Sequence, residues 1–439
     1  MQFVNREKVL GRLQAAADRK EAQLILLYGR RRIGKTRVLR EILREGDLFF
    51  TADQREKPEQ IRAFASLVEQ HLPGFSRVRY PDWEIFFQTL KERLTRYELV
   101  VIDEFPYLLK NAPELASLLQ KLFDRRQELS FHLILCGSSQ QMMQQLVMDS
   151  SSPLFGRANE SIRLMPMGLR PFHQLMKAAP VLSVQEYSVW GGVPRYWELR
   201  EVSADFREAV IHHVLEPTGV LHEEPFRLFL DDSRDAVHMS TLIRIVASGA
   251  HRLSEIASRA EKPATHLSRP LQKLTDLGYL QREIPFGLST RNTKRSLYRI
   301  ADPYIRFYFT FVLPYRSALE LGNAEMIYRE VVEPNLPAYV AESWEQLCRD
   351  AVPGLFREEG FAPGQRWWGK GLDGKPMEID LVSAAYSGKS MIIGEVKWSG
   401  SPHMGSLVAE LDRKVRQFPL RKQYRVIKAL FLKKRPRRV

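Results

Sequence analysis

The sequence predicts an α/β fold: a parallel, helix-covered sheet, then a helical stretch ending in one hairpin, then a smaller C-terminal α/β segment. Three observations carry this. Apolar runs at 23–29 (QLILLYG), 99–103 (LVVID) and 131–139 (FHLILCGSS) alternate with helical patterns, the order that builds a parallel sheet with helices on its faces. Beyond about residue 170 the strand signals fade into helical patterns broken by Gly and Pro,. Strand patterns return at 377–384 (MEIDLVSA) and 390–399 (SMIIGEVKWS), joined by a turn containing Ser387 and Gly388,.

The bulk numbers fit this division. A chain of 439 residues exceeds one ordinary core, and one domain per roughly 150 residues gives about three. With 44% hydrophobic and 27% charged residues the composition is that of a water-soluble chain. No run of about 18 apolar residues is present. The start, MQFVNREKVLGRL, lacks an apolar export region,, so a cytoplasmic protein with no membrane partner is expected. Cys136 and Cys348 are the only cysteines, too few for a disulfide framework or a thiolate zinc site. The net charge is +14, and residues 401–439 hold twelve Lys or Arg against two acids, Glu410 and Asp412. Such a basic end attracts phosphate backbones, or is a solvated tail.

The first element pair carries the sharpest motif. GRRRIGKT at 29–36 fits G-x-x-x-x-G-K-[ST], between an apolar strand and the helical pattern RVLREILRE. In this pattern the backbone N–H groups of a glycine-punctuated loop close around phosphate oxygens. Gly29 and Gly34 permit the loop; Arg30, Arg31, Arg32, Ile33 and Arg37 complete the ATP-binding stretch. Lys35 is expected to reach the β- and γ-phosphates and Thr36 to ligate Mg²⁺. The second strand delivers Asp103 to its C-terminal end, where it joins the Mg²⁺ shell, and Glu104 orients or deprotonates the attacking water. The third ends at Gly137-Ser138-Ser139, where the Ser138 hydroxyl senses the γ-phosphate or the segment is a plain turn. Arg157, in PLFGR, is an arginine finger acting in cis or on a neighbour, or a surface arginine.

FVNRE, the P-loop, VIDEFPYLL, LCGSS, PLFGR and GGVPRYW, in that order, resemble the archaeal-type AAA ATPases of the STAND-related group over about residues 1–230. The resemblance implies a P-loop NTPase parallel sheet with a helical lid, with Gly191, Gly192 and Pro194 near the nucleotide in the place of a second sensor. It also implies a nucleotide-controlled switch that self-assembles, although no coiled coil enforces a homo-oligomer.

Farther on, STLIRIVAS, LSEIASRA and HLSRPLQKLTDLGYL followed by REIPF and SLYRI form three helices and a hairpin, the pattern of a winged-helix domain. Thr265, His266, Ser268, Arg269 and Lys273 on its third helix are the candidate DNA contacts, unless this helix serves as a protein-binding module. A proline-punctuated, aromatic-rich connector, ADPYIRFYFTFVLPYR, follows.

In the last segment Asp380 lies on one strand pattern and Glu395 and Lys397 two apart on the next, so period-two geometry places all three on one sheet face. Two carboxylates and an ammonium there suit Mg²⁺-dependent phosphodiester hydrolysis, or are charges on a solvated face. The segment resembles the PD-(D/E)xK restriction-endonuclease-like fold, which implies a further acid from a preceding helix; WEQLCRDAV at 344–352 offers Glu345, with Glu342 one turn earlier. The first strand reads EID rather than Pro-Asp. The expected division is therefore an ATPase core (1–172), a helical lid (173–232), a winged helix (233–302), an aromatic connector (303–335) and a C-terminal α/β nuclease-like domain with a basic tail (336–439). The expected function is ATP binding and hydrolysis coupled to DNA binding, with a tail that binds or cuts DNA. The other reading is a non-catalytic signalling switch whose ATPase gates assembly or partner docking.

Overall fold

A computed structural model describes residues 4–232, 235–289, 295–400 and 403–434. Phe3 of the FVNRE motif and residues 435–439 of the basic tail lie outside the described residues. The chain divides into two compact units. One comprises Met1–Met167, Val193–Glu198 and Phe226–Ala236; the other comprises Gly168–Gly192, Leu199–Pro225 and Val237–Val439.

The first unit is built on five parallel strands, β1 (Leu24–Tyr28), β2 (Leu48–Thr51), β3 (Glu98–Asp103), β4 (Phe131–Gly137) and β5 (Glu160–Arg163), in the order β2-β3-β4-β1-β5. The central strands β1 and β4 are buried at every position, which is why they appear in sequence as unbroken apolar runs. The edge strands were not expected: β2 has only four residues, and β5 is polar, ESIR, with one buried residue. One face is covered by the helices Lys57–Glu69 and Trp83–Arg93. Phe50 and Phe64 stack there with ring centroids 4.4 Å apart, edged by Trp83 and Phe86. The helix after the P-loop is shorter than its apolar spacing suggests, Lys35–Arg40, because Ile42 N–H turns back to the Leu39 carbonyl as the chain heads for β2.

The second unit begins with helices, including Pro180–Trp190. The helices Ala236–Ala247, Leu253–Arg259 and Ala264–Asp276 precede an antiparallel pair, β6 (Leu280–Glu283) and β7 (Leu297–Ile300). The aromatic stretch after β7 is core: Tyr304, Phe307, Tyr308 and Phe311 are buried, and Phe307 and Phe311 pack at 5.0 Å. The helix Glu333–Leu355 begins eleven residues before the 344–352 pattern, with Pro337 inside it.

A four-stranded mixed sheet completes this unit: β8 (Gln365–Lys370), β9 (Pro376–Ala384), β10 (Ser390–Lys397) and β11 (Arg425–Leu432), ordered β11-β10-β9-β8. β10 runs parallel to β11 and antiparallel to β9. The helix Met404–Gln417 packs on it through Leu407 and Leu411.

Candidate functional site

The loop after β1 is held open by local geometry. Gly34, which precedes the helix, has φ +94°, a conformation a side chain would strain,. At Gly29 a Cβ would lie 2.5 Å from the Leu164 carbonyl oxygen, so the backbone just past β5 comes too close for any other residue. Lys35 Nζ donates to the carbonyls of Gly29 (3.0 Å) and Arg30 (3.2 Å), folded over its own loop. Thr36 Oγ1 donates to Asp103 Oδ2 at 2.7 Å, bringing the P-loop hydroxyl onto the acid at the end of β3. Asp103 is 3% exposed. Glu104, at φ +55°, donates its N–H to Asp103 Oδ1 (3.0 Å), and its Oε2 accepts from Ser138 N–H (3.2 Å) and Ser138 Oγ (2.8 Å).

A cavity of about 300 Å³ opens over this loop, lined among others by Arg31, Arg32, Ile33, Lys35, Thr36, Glu104 and Pro194. Gly34 and Arg37 also line it. Arg30 does not: it is buried, donating NH2 to Tyr196 Oη at 3.0 Å. Gly191 and Gly192 do not line it either. They fall in the second unit, where a Cβ on Gly191 would meet Pro303 at 3.2 Å. Arg157 is held by Asp124, Nε to Oδ1 at 2.8 Å, with NH1 on the Phe155 carbonyl. Thr36 and Asp103 suit Mg²⁺: a hydroxyl and a buried carboxylate already within hydrogen-bond distance form a hard oxygen pair.

Sequence reasoning missed part of this wall. Val4, Arg6, Met167, Arg195 and Glu198 also line the cavity. Arg6, 8% exposed, donates to the carbonyls of Met165 (2.9 Å) and Ile33 (3.2 Å), and burial lowers its pKa to about 10. The FVNRE motif contained the signal, but nothing in its spacing distinguishes this arginine from a surface one.

In the second unit the expected C-terminal cluster is assembled, with an addition. Lys397 Nζ lies 3.1 Å from Glu395 Oε2 and 3.6 Å from Asp380 Oδ2. Asp380 Oδ2 also accepts the Val396 N–H at 2.9 Å. Lys414, from the helix Met404–Gln417, bonds Glu395 Oε1. Glu345 faces Arg349 at 3.6 Å, and its carboxyl is raised by burial and by Asp380. Glu342 pairs instead with Arg299 (2.5 Å) and Arg306 (2.8 Å). Glu395 is 0% exposed, and each of its oxygens holds an ammonium. Burial and Asp380 raise its carboxyl, whereas Lys414 opposes that. The set expected to hold a metal, Glu345, Asp380 and Glu395, does not fit a resident Mg²⁺ as it stands. Lysines pair with the two strand acids and an arginine with the third, so a dication would have to displace these partners,. Among the described residues no group of three or more His, Cys, Asp or Glu is gathered to hold a metal ion.

On the helix Ala264–Asp276, Leu267, Leu271 and Leu274 are buried while Thr265, His266, Ser268 and Arg269 are exposed and Lys273 is half-buried. Among the described residues no helix is long and apolar enough to cross a membrane.

The family model described as an ATPase domain predominantly from Archaea matches residues 3–198. A second, described as archaeal and bacterial proteins of unknown function, matches residues 308–408. The chain is 28% identical over 403 residues to an uncharacterized protein of Methanocaldococcus jannaschii, covering 90% of this chain and 87% of that protein. Among solved structures, a Walker-type ATPase of Pyrococcus abyssi is similar at TM-score 0.53 and 19% identity, over 70% of this chain and 96% of its own. The ORC2 protein of Aeropyrum pernix, solved with ADPNP and ADP, gives TM-score 0.47 and 16% identity, over 76% and 96%. The α/β fold with its five-stranded parallel sheet is thus that of P-loop ATPases, joined to a C-terminal mixed sheet.

Proposed function

We propose that this protein binds and hydrolyses ATP and uses the nucleotide to control DNA binding. The observation that carries the ATPase reading is the Thr36–Asp103 bond with Glu104 immediately beside it. When ATP enters the cavity, Lys35 exchanges the Gly29 and Arg30 carbonyls for β- and γ-phosphate oxygens, which satisfy its ammonium better because they carry charge. Thr36 and Asp103 would hold Mg²⁺, whose charge offsets that of the phosphates. Glu104 orients the attacking water and takes up its proton, and Ser138 sets the position of that carboxylate.

The test is paired. Lys35→Ala is expected to abolish binding of a fluorescent ATP analogue. Glu104→Gln is expected to bind normally while turnover falls at least about a hundredfold, since it removes a group acting only in the transition state. Normal turnover in Glu104→Gln would remove this residue from its assigned role.

For the rest of the chain, we read residues 233–302 as a winged helix that meets duplex DNA through the exposed side of Ala264–Asp276. We read the sheet from residue 336 onward as a module that binds without cutting. The saturation of Glu395 by two lysines supports that choice. Plasmid incubated with the protein and Mg²⁺, with and without ATP, is expected to stay supercoiled; nicking lost in Asp380→Ala would reverse it.

A further inference from the structure

Helix Gln140–Met148 follows the β4 turn directly, and its N-cap, Ser139, makes no side-chain cap bond. The missing cap comes from 92 residues later in the chain. Asp232, 4% exposed at the end of the helix Glu224–Asp232, accepts the Gln140 N–H through Oδ1 at 3.0 Å and the Gln140 side-chain amide through Oδ2 at 3.3 Å. Gln140 Oε1 in turn accepts from Arg163 NH2, at the end of β5, at 3.0 Å. The neighbouring Asp231 pairs with the P-loop residue Arg31 at 3.3 Å. Leu228 and Phe229 are buried and belong, with both acids, to the first unit. Adjacent carboxylates of one helix thus hold a P-loop arginine and the start of the helix that follows β4.

We propose that Asp232 is a positioning residue for ATP hydrolysis: by capping Gln140 it fixes the turn on which Ser138 holds Glu104. A carboxylate on the first free N–H of a helix is a charge-assisted bond, favoured further by the helix dipole. Gln140 is two residues from Ser138, so loosening this cap displaces the N–H and hydroxyl that Glu104 Oε2 accepts. Misplacing a water-orienting group by about 1 Å costs on the order of a hundredfold in rate. The Asp232 carboxylate does not line the cavity; it acts through Ser138 and Glu104, and the inference rests on the assignment of Glu104 made above.

The experiment measures ATP turnover and nucleotide Kd for Asp232→Asn, Asp232→Ala, Ser138→Ala, the Asp232→Asn/Ser138→Ala double variant and Glu104→Gln. Asp232→Asn keeps the shape and one acceptor, so it tests the carboxylate with the least disturbance to folding. The expected result is kcat lower by about tenfold in Asp232→Asn and more in Asp232→Ala, Kd within about twofold of the parent, and a double variant no slower than Ser138→Ala alone. A merely structural Asp232 would move Kd with kcat, or would multiply its loss onto that of Ser138→Ala; either result overturns the proposal, as does unchanged turnover in Asp232→Asn. The two ideas fail separately. Inactive Glu104→Gln beside unaffected Asp232 variants removes Asp232 alone, whereas active Glu104→Gln removes the water-positioning reading and this one with it.

Discussion

Glu345 shows how a single carboxyl records its surroundings. It is half-buried beside Asp380, and burial and that neighbour together hold its proton more tightly than the ordinary value of 4.5. A folded-state pKa above the unfolded one gives stability that is complete at low pH and is lost as pH rises through the folded value. Glu345→Gln removes this loss. Thermal denaturation is expected to show the variant more stable than the parent at pH 8, with the gain shrinking to nothing below pH about 4; a variant less stable than the parent at pH 8 would mean that the ion pair with Arg349 dominates instead. At this scale the sequence was uneven. Lys35, Thr36, Asp103 and Glu104 were legible because a strand–loop–helix motif fixes their relation within a few residues. Lys414 and Asp232 were not, because their partners lie 19 and 92 positions away and no local pattern links them.

At the scale of elements, every residue of β10 from Ser390 to Val396 is buried, yet the strand carries Glu395. The strand tolerates that charge because Lys397 comes from the strand itself and Lys414 from the helix Met404–Gln417. Removing one partner of a buried pair leaves the other charge poorly compensated, whereas replacing the pair with apolar residues of similar size is often neutral. Lys414→Ala is therefore expected to lower the stability of the second unit by about 3 kcal/mol. Glu395→Gln/Lys414→Met is expected to recover most of this in chemical denaturation. Equal losses in both would show that the loss does not come from an uncompensated charge on Glu395. The long apolar strands β1, β3 and β4 were readable as strands, and so were β9 and β10. β2 and β5 were not, because four-residue edge strands carry too few buried positions to set a period. The burial of the connector was not legible, because its prolines mask how many of its aromatic rings are buried.

The whole molecule is strongly basic at +14, and association with a polyanion is the physical expectation that follows from that excess. Each phosphate neutralised contributes about 0.9 to the slope of log K against log salt. Fluorescence anisotropy with a labelled duplex is expected to show affinity falling by at least about tenfold between 50 and 200 mM salt, with Arg269→Ala reducing the slope by about 1. A flat salt response would favour the signalling switch, in which the exposed side of Ala264–Asp276 meets another protein. The overall order of a parallel sheet, helices and a late mixed sheet was evident from the sequence. The threading of the units was not, since it depends on which short segments return to which core.

That threading sets a timetable for the newly made chain. The first unit takes in Val193–Glu198 and Phe226–Ala236 after the chain has entered the second. On the ribosome all five strands of the parallel sheet have emerged once Arg163 is out, but Asp232 follows roughly 70 residues later, about 4–14 s at ordinary elongation rates. For those seconds the Ser138–Gln140 turn of the nascent protein lacks its Asp232 cap, and the cavity over the loop at first lacks the wall that Pro194, Arg195 and Glu198 supply later.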